Sequence, residues 1–317
     1  MTKIIAELCQ NHKGDKKLLD EMVSAASDAG ANYCKIQSMK SRDLTHRRRF
    51  DHGLIEGNIV KVIKRPFKKE LKRLRPLDLN DDDHYYFIEL CKKYNIEPLT
   101  TIFTRNRLSF LEKLNFKAIK VSSFDCASFE LLKDLAKSKF KKIYLSTGAT
   151  FDSEIIKAKK ILKNKDLTLL HCISIYPTTP NDANMNRIKF LKTINKKVGF
   201  SDHSNPDRYS SILALIAISM NVEVIERHFT IVNKDETKDG VVSVNYKQLK
   251  NLVNLTRENK KDILTQVKKI KNLKRILGQE KRDLTRIELL NRDYYQGRFA
   301  SKIKKNKYIF NWEEYNF

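Results

Sequence analysis

Short apolar runs alternate with amphipathic segments through the first 230 residues of the chain. Eight of the runs have strand length, and the segments between them carry apolar residues at helical spacing, which is typical of βα units around a parallel sheet. The predicted strands are residues 3–7, 32–37, 97–103, 118–121, 142–146, 167–172, 197–200 and 222–226. Because eight such units can close into a ring, the pattern predicts an α/β fold, a (β/α)8 TIM barrel.

Seven amphipathic segments separate these strands. They are predicted as helices over residues 17–29, 84–94, 107–114, 129–137, 152–162, 184–193 and 208–219. A basic insertion, residues 39–80, is too long for an ordinary connection and is a candidate lid or substrate-facing loop. After one more helix over 251–270 come a polar linker and a strand, turn and strand in 298–317. We therefore divide the chain into a barrel domain, 1–270, and a linker with a short tail, 271–317.

Nearly every predicted strand is followed or ended by side chains that can perform chemistry. In a barrel the carboxyl ends of the strands meet at one mouth, which is where barrel enzymes place their active sites. The predicted mouth contains Glu7, Lys35, Gln37, Thr101, Lys120, Ser123, Ser146, Ser174, Tyr176, Ser201, His203, Glu226 and His228.

Two lysines, Lys35 and Lys120, end strands in apolar surroundings, where an unpaired ammonium is costly. They can extend to the rim, pair with a carboxylate of the core, or bind an anion. Hydroxyl groups at the same mouth favour the last hypothesis, because they suit a phosphate and a carboxylate on one small molecule. These hydroxyls belong to Thr101, Ser123, Ser146 and Ser201.

Two histidines, His203 and His228, end neighbouring strands and can approach one another. Such a pair either holds a divalent metal ion or makes ordinary hydrogen bonds. Glu7 ends the first strand and is a candidate general base for a water molecule, although pairing with a lysine is the alternative.

The net charge of +25 changes this picture little. Lysines are spread over nearly all predicted helices, so we expect no nucleic-acid partner, and the denser basic runs at 47–49 and 61–75 can attract an anionic substrate. No window is apolar enough for a membrane span and no signal peptide is visible, so we expect no membrane partner. Five cysteines without a paired spacing predict reduced thiols and a cytoplasmic protein.

Eight segments in order resemble the successive motifs of the sialic-acid (N-acetylneuraminate) synthase family. They are IIAELCQNHKGD (4–15), CKIQS (34–38), LTTIF (99–103), IKVSSFD (119–125), LSTGAT (145–150), HCISIYPTTP (171–180), VGFSDHS (198–204) and IERHFT (225–230). The resemblance spans residues 3–255. It implies a metal-dependent condensation of phosphoenolpyruvate with the open-chain aldehyde of an N-acetylated amino sugar, giving a nonulosonic acid and phosphate.

The same resemblance assigns roles to residues at matching positions. It implies Glu7, Lys35 and Lys120 as catalytic residues, and His203 and His228 as ligands of a divalent metal ion, Mn²⁺ first and Mg²⁺ or Co²⁺ as alternatives. Substrate contacts are implied for Gln37, Thr101, Ser123, Asp125, Ser146, Ser174, Tyr176, Ser201 and Asp239. The acceptor can be N-acetylmannosamine or a diacetamido hexose, and a homodimer is expected.

The family's C-terminal antifreeze-like domain is represented only by residues 297–310, which resemble its first strands. We therefore expect a truncated remnant of that domain. Two other functions stay open: a 3-deoxy-aldulosonate-type synthase, whose sugar-phosphate acceptor needs a second phosphate site, and a basic binding paralogue without catalysis.

Overall fold

The computed structural model describes all 317 residues and confirms the closed ring of eight parallel strands. The first strand pairs with both the second and the eighth, which closes the ring. The strands are Lys3–Glu7, Tyr33–Ser38, Glu97–Ile102, Ala118–Val121, Lys142–Ser146, Asp166–His171, Val198–Asp202 and Val224–His228. Each predicted strand is present, with ends shifted by two residues at most.

The seven predicted helices between the strands are also present, with different ends. They are Lys16–Asp28, Asp81–Lys93, Leu108–Leu111, Phe129–Lys137, Asp152–Ile161, Arg187–Ile194 and Ile212–Ser219. No helix in the structure combines the length and the apolar character needed to cross a membrane.

The prediction for residues 251–297 was wrong in two respects. The single helix expected over 251–270 is two helices, Tyr246–Leu255 and Lys260–Lys268, because the side chain of Asn259 caps the second one. The segment expected to be a polar linker contains the helices Leu273–Leu277 and Arg286–Tyr295.

Side chains of the barrel strands alternate between the inside and the outside of the ring. Ile5, Leu99, Tyr144 and other buried residues fill the inside, and a larger apolar cluster lies between the ring and its helices. On the eighth strand, Arg227 turns outward and pairs with Asp202 at 2.7 Å. Its neighbours on either side, Glu226 and His228, consequently turn toward the inside.

The basic insertion is folded and covers one side of the mouth. It contains the short helix Arg49–His52, the antiparallel strands Leu54–Glu56 and Ile59–Val62, and the helix Phe67–Leu74. The guanidinium of Arg47 fastens it to the helix Arg286–Tyr295, called the C-terminal helix below, by hydrogen bonds to the carbonyls of Asp293 and Gln296 at 3.2 and 2.9 Å.

The tail forms the predicted strand, turn and strand, as an antiparallel pair of Ser301–Lys304 and Lys307–Ile309. Beyond it, the amide of Asn311 donates to the carbonyl of Phe103 at 2.9 Å and to the carboxylate of Asp125 at 2.8 Å. The tail is thereby fixed against the connections that follow the third and fourth barrel strands.

Candidate active site

A cavity of about 290 Å³ opens at the carboxyl ends of the barrel strands. Its walls come from the strand ends, the insertion, the loop after the eighth strand and the C-terminal helix. All but two of the predicted site residues line it, namely Glu7, Lys35, Gln37, Thr101, Lys120, Ser123, Ser146, Tyr176, Ser201, His203, His228 and Asp239. The convergence expected from the strand order is therefore present.

Both lysines lie at the bottom of this cavity and are almost fully buried. The ammonium of Lys35 contacts the carboxylate of Glu7 and donates a hydrogen bond to Thr101 at 2.7 Å. The ammonium of Lys120 donates to the hydroxyl of Ser146 at 2.7 Å. The lysines thus pair with carboxylates and hydroxyls of the core, which is one of the three predicted arrangements, and they also line the cavity. The binding of an anion by these lysines stays a prediction.

Glu226 stands between the two ammonium groups. Its Oε2 lies 3.8 Å from the Nζ of Lys35 and 4.0 Å from that of Lys120, and its other oxygen accepts from Ser201 at 2.9 Å. Burial alone would raise the pKa of this carboxyl, but Lys120 and Lys35 outweigh burial and lower it to about 2. Glu226 is therefore a buried anion within 4.0 Å of both ammonium groups, those of Lys35 and Lys120.

The two histidines lie edge to face, with ring centroids 5.5 Å apart. Nδ1 of His203 is 3.0 Å from the carbonyl of Ile173, which makes it the protonated nitrogen and leaves Nε2 with a lone pair. Nδ1 of His228 is buried and has no hydrogen-bond partner. Burial lowers the pKa of His203 to about 4 and also lowers that of His228, so both rings are neutral, the form that binds metal ions.

Asp239 enters the cavity from the loop that follows the eighth strand. Its carboxylate, a ring nitrogen of His228 and the sulfur of Cys9 all lie within 4.8 Å of one another. The loop is held tightly at Gly240, where a Cβ would stand 1.8 Å from the carbonyl oxygen of Lys234. A larger residue at this position would displace the segment that presents Asp239.

The outer wall of the cavity is cationic. It carries Arg65 and Arg73 from the insertion, together with Lys238 and Arg298. Arg73 and Arg298 both pair with Glu70, and Lys238 lies 3.9 Å from the same carboxylate. Burial, and next the neighbouring Arg298, lower the pKa of Lys238 to about 8. The carboxylate of Glu70 is therefore shared by three cations.

Two predicted site residues do not line the cavity. Asp125 is buried among Ser122, Ser128 and Asn311, all of which donate hydrogen bonds to its carboxylate, so it anchors the tail. The hydroxyl of Ser174 lies behind the wall, 3.2 Å from that of Ser123. The basic run 61–75 reaches the cavity through Arg65 and Arg73, whereas the basic run 47–49 is not part of the cavity lining.

One wall of the cavity was not predicted from the sequence. It is formed by Asn291 and Tyr295, which lie on the C-terminal helix. A signal for this helix was present, because Thr285 and Glu288 have the spacing of a capping box and form one in the structure. Glu226 was noted at a strand end but was given no role. Gln10, Lys238 and Arg298 also carried no functional signal.

Comparison with known proteins agrees with this architecture. The NeuB family profile matches residues 22–269. The chain is 32% identical to the N,N'-diacetyllegionaminic acid synthase of Campylobacter jejuni, over 84% of this chain and 79% of that protein. It is 29% identical to a pseudaminic acid synthase of the same species, over 98% of this chain and 84% of that protein.

A solved structure described as N-acetylneuraminic acid (sialic acid) synthetase from Leptospira borgpetersenii, in complex with citrate, has a similar fold. It superposes with a TM-score of 0.70 at 29% identity and covers 92% of this chain, with 90% of that chain matched. The family profile spans most of the barrel, and the relatives align over most of their own length. This chain belongs to the NeuB family of sialic-acid synthases.

Proposed function

We propose that this protein is a nonulosonic acid synthase, which condenses phosphoenolpyruvate with the open-chain aldehyde of an N-acetylated amino sugar and releases phosphate. The observation that carries the proposal is the pair of buried lysines, Lys35 and Lys120, held at the base of one cavity among hydroxyl groups. The names of the family relatives support the reaction type, since they are synthases of legionaminic and pseudaminic acids.

The charge of the cavity supports an anionic substrate. Six cationic side chains line it against three carboxylates, which leaves an excess of positive charge in a partly enclosed space. Phosphoenolpyruvate carries both a phosphate and a carboxylate and so matches this excess. Lys120 with Ser146 and Lys35 with Thr101 form two donor groups, and we assign them to these two anions of the substrate.

The reaction forms one carbon–carbon bond and breaks one carbon–oxygen bond. The methylene carbon of phosphoenolpyruvate attacks the aldehyde carbon, whose oxygen takes up a proton and becomes a hydroxyl. Water adds to the carbon that bears the phosphate, and phosphate leaves as that carbon becomes the ketone of a 2-oxo acid. The buried ammonium groups stabilise the charge on the departing phosphate, and Glu7 is placed to accept the proton of the water.

A divalent metal ion belongs to the proposal, and the donors present fit one. The neutral ring of His228 offers a nitrogen beside the carboxylate of Asp239. The neutral ring of His203, which is not a member of that group, offers the lone pair of its Nε2 from the neighbouring strand. When bound, such an ion polarises the aldehyde oxygen of the acceptor. Mn²⁺ is the first candidate by resemblance, with Mg²⁺ and Co²⁺ as alternatives.

A phosphorylated acceptor is the second candidate, favoured by the cationic outer wall. Arg65 is exposed and has no carboxylate partner, and Lys238 has a lowered pKa beside other cations. These groups can bind a second phosphate, as a sugar-phosphate acceptor would require. An amino sugar without a phosphate remains the first candidate acceptor, because the relatives reported above are named as synthases of acids without a phosphate.

The test is phosphate release from phosphoenolpyruvate in the presence of Mn²⁺ and a panel of amino sugars, each with and without a phosphate. We expect release that depends on the acceptor and is abolished in Lys120→Ala and His203→Ala. The matched controls are Lys117→Ala and His52→Ala, which change exposed residues outside the cavity and should keep the wild-type rate. Release without any acceptor dependence, or equal rates in all four variants, would exclude the synthase.

A homodimer and a cytoplasmic location are further parts of the proposal. The five cysteines are unpaired and buried, which supports a reducing compartment. Sedimentation equilibrium of the full chain tests the dimer.

A further inference from the structure

Cys9 occupies an unusual place beside the proposed metal ligands. It follows the first barrel strand, is completely buried, and has a backbone φ of +42°, a conformation that non-glycine residues seldom adopt and that often marks functional sites. This backbone brings its sulfur into the group formed with His228 and Asp239. No part of the condensation described above uses a thiol.

The three donor atoms lie close enough to bind one ion. Ligand atoms around a tetrahedral zinc-like ion stand ~2.3 Å from it for sulfur and ~2.0–2.2 Å for nitrogen and oxygen, so two of them are about 3.4–3.6 Å apart. The sulfur, the imidazole nitrogen and the carboxylate oxygen are within 4.8 Å of one another. A side-chain movement of up to about 1 Å on binding therefore closes the set.

A second observation at the site points to ion binding by His228. Nδ1 of His228 has no hydrogen-bond partner, and water cannot supply one easily because the residue is only 7% exposed. A buried nitrogen without a partner is costly unless something else satisfies it, and an ion bound through this nitrogen would do so. Asn11 holds the same turn in place, since its amide donates to the carbonyl of Phe229 and to Ser243.

We propose that Cys9, His228 and Asp239 together hold the divalent ion of this site, and that the Cys9 sulfur makes it prefer Co²⁺ or Zn²⁺ to Mn²⁺ or Mg²⁺. Thiolate is a soft ligand, whereas Mn²⁺ and Mg²⁺ favour oxygen donors. Three protein ligands leave further positions for His203 and for the acceptor oxygen. The inference rests on the proposed metal-assisted condensation, but it concerns ion binding and not turnover.

The experiment is titration of the metal-free full-length protein with Co²⁺ alone, followed by absorption spectroscopy and calorimetry. We expect a thiolate-to-cobalt charge-transfer band in the near ultraviolet, and tighter binding of Co²⁺ and Zn²⁺ than of Mn²⁺. In Cys9→Gly the band should be lost and Co²⁺ affinity should fall on the order of 10- to 100-fold. Glycine suits the positive φ of this position, so the variant should fold.

Cys172→Ser is the matched control, because Cys172 is another buried cysteine, lines the active-site cavity and is not in the group of three. It should keep the band. A wild-type spectrum without the band, or an unchanged band in Cys9→Gly, would overturn the inference. If the wild-type protein released phosphate with Mn²⁺ but showed no charge-transfer band with Co²⁺, the proposed synthase activity would be supported. Only the thiolate ligand would then be rejected.

Discussion

The carboxylate of Glu226 lies 3.8 Å from the ammonium of Lys35 at the base of the cavity, where both groups are nearly inaccessible to water. The same carboxylate is 4.0 Å from Lys120. Two buried cations so close together need an anion between them, because like charges in a weakly screened interior repel strongly. Glu226 is thus a positioning residue for both proposed phosphoenolpyruvate contacts.

We expect Glu226→Gln to lower kcat/KM for phosphoenolpyruvate on the order of 100-fold, as the loss of a buried charge partner can do. Without the carboxylate the pKa of Lys35, already lowered by burial, should fall further. Since only the charged ammonium binds phosphate, the decline of activity with rising pH should start at a lower pH than in the wild type. Rate profiles against pH measure both effects.

The matched control is Glu223→Gln. Glu223 precedes the same strand at the opposite end of the barrel and pairs with Lys142 at 2.8 Å. It should keep the wild-type profile. Equal profiles for the two variants would contradict the role given to Glu226.

Arg65→Ala tests the outer wall of the cavity. Arg65 lines the cavity and has no carboxylate partner, so its removal leaves no buried carboxylate unpaired. If the outer wall binds the acceptor, KM for the acceptor should rise several-fold, most of all for a phosphorylated one, while KM for phosphoenolpyruvate stays constant. Steady-state kinetics measure both KM values, and Lys64→Ala, at an exposed neighbouring position, is the control. A rise in KM for phosphoenolpyruvate alone would mean that the outer wall binds phosphoenolpyruvate and not the acceptor.

Asn311→Ala tests the attachment of the tail. The substitution removes donors to the carbonyl of Phe103 and to the buried carboxylate of Asp125. The carboxylate of Asp125 keeps Ser122 and Ser128 as donors, but the carbonyl of Phe103 loses its donor. Leaving a buried acceptor without a partner costs about 1–3 kcal/mol, and denaturant unfolding should show a loss of that size. Asn251→Ala, on an exposed helix position, should change stability little. Unchanged stability of Asn311→Ala would show that these two hydrogen bonds do not contribute to the free energy of unfolding.

Asp43→Asn should stabilise the protein at neutral pH. The residue is 1% exposed, neither carboxylate oxygen accepts a hydrogen bond of normal geometry, and burial raises its pKa to about 6. Because the folded pKa is above the unfolded value, this carboxyl destabilises the fold progressively as the pH rises from about 4 to above 6.

The asparagine variant should therefore melt at a higher temperature than the wild type at pH 8, and the difference should shrink toward pH 4. Thermal unfolding followed by circular dichroism across this range provides the measurement. A constant difference at all pH values would mean that the ionisation of Asp43 does not affect stability.

The barrel and most of its site could be predicted from the sequence because buried parallel strands read as continuous apolar runs, and their final residues are forced toward one mouth. Lys35, Lys120, His203 and His228 were found in this way. Asp125 was misplaced because it lies beyond its strand, in the short 3₁₀ turn Ser123–Asp125, where strand alternation no longer fixes the direction of a side chain.

Residues brought by distant segments could not be placed. Tyr295 and Arg298 line the cavity from the C-terminal helix and the residues after it, which Arg47 fastens to the insertion across some 250 positions of sequence. Cys9 carried no signal either, since its position depends on a backbone angle that the residue type disfavours. Such contacts depend on tertiary structure, for which a single sequence has no local pattern.

The pairing of the first strand with the eighth has a consequence for folding experiments. Glu7 and His228 are partners in this pairing, at the end of the seam between the two ends of the barrel chain. Helices and neighbouring strands can form during refolding without bringing these residues together, because their contact requires closing a loop of more than 200 residues. Recovery of phosphate release should therefore coincide with the final closure of the ring and lag behind the recovery of helical circular dichroism.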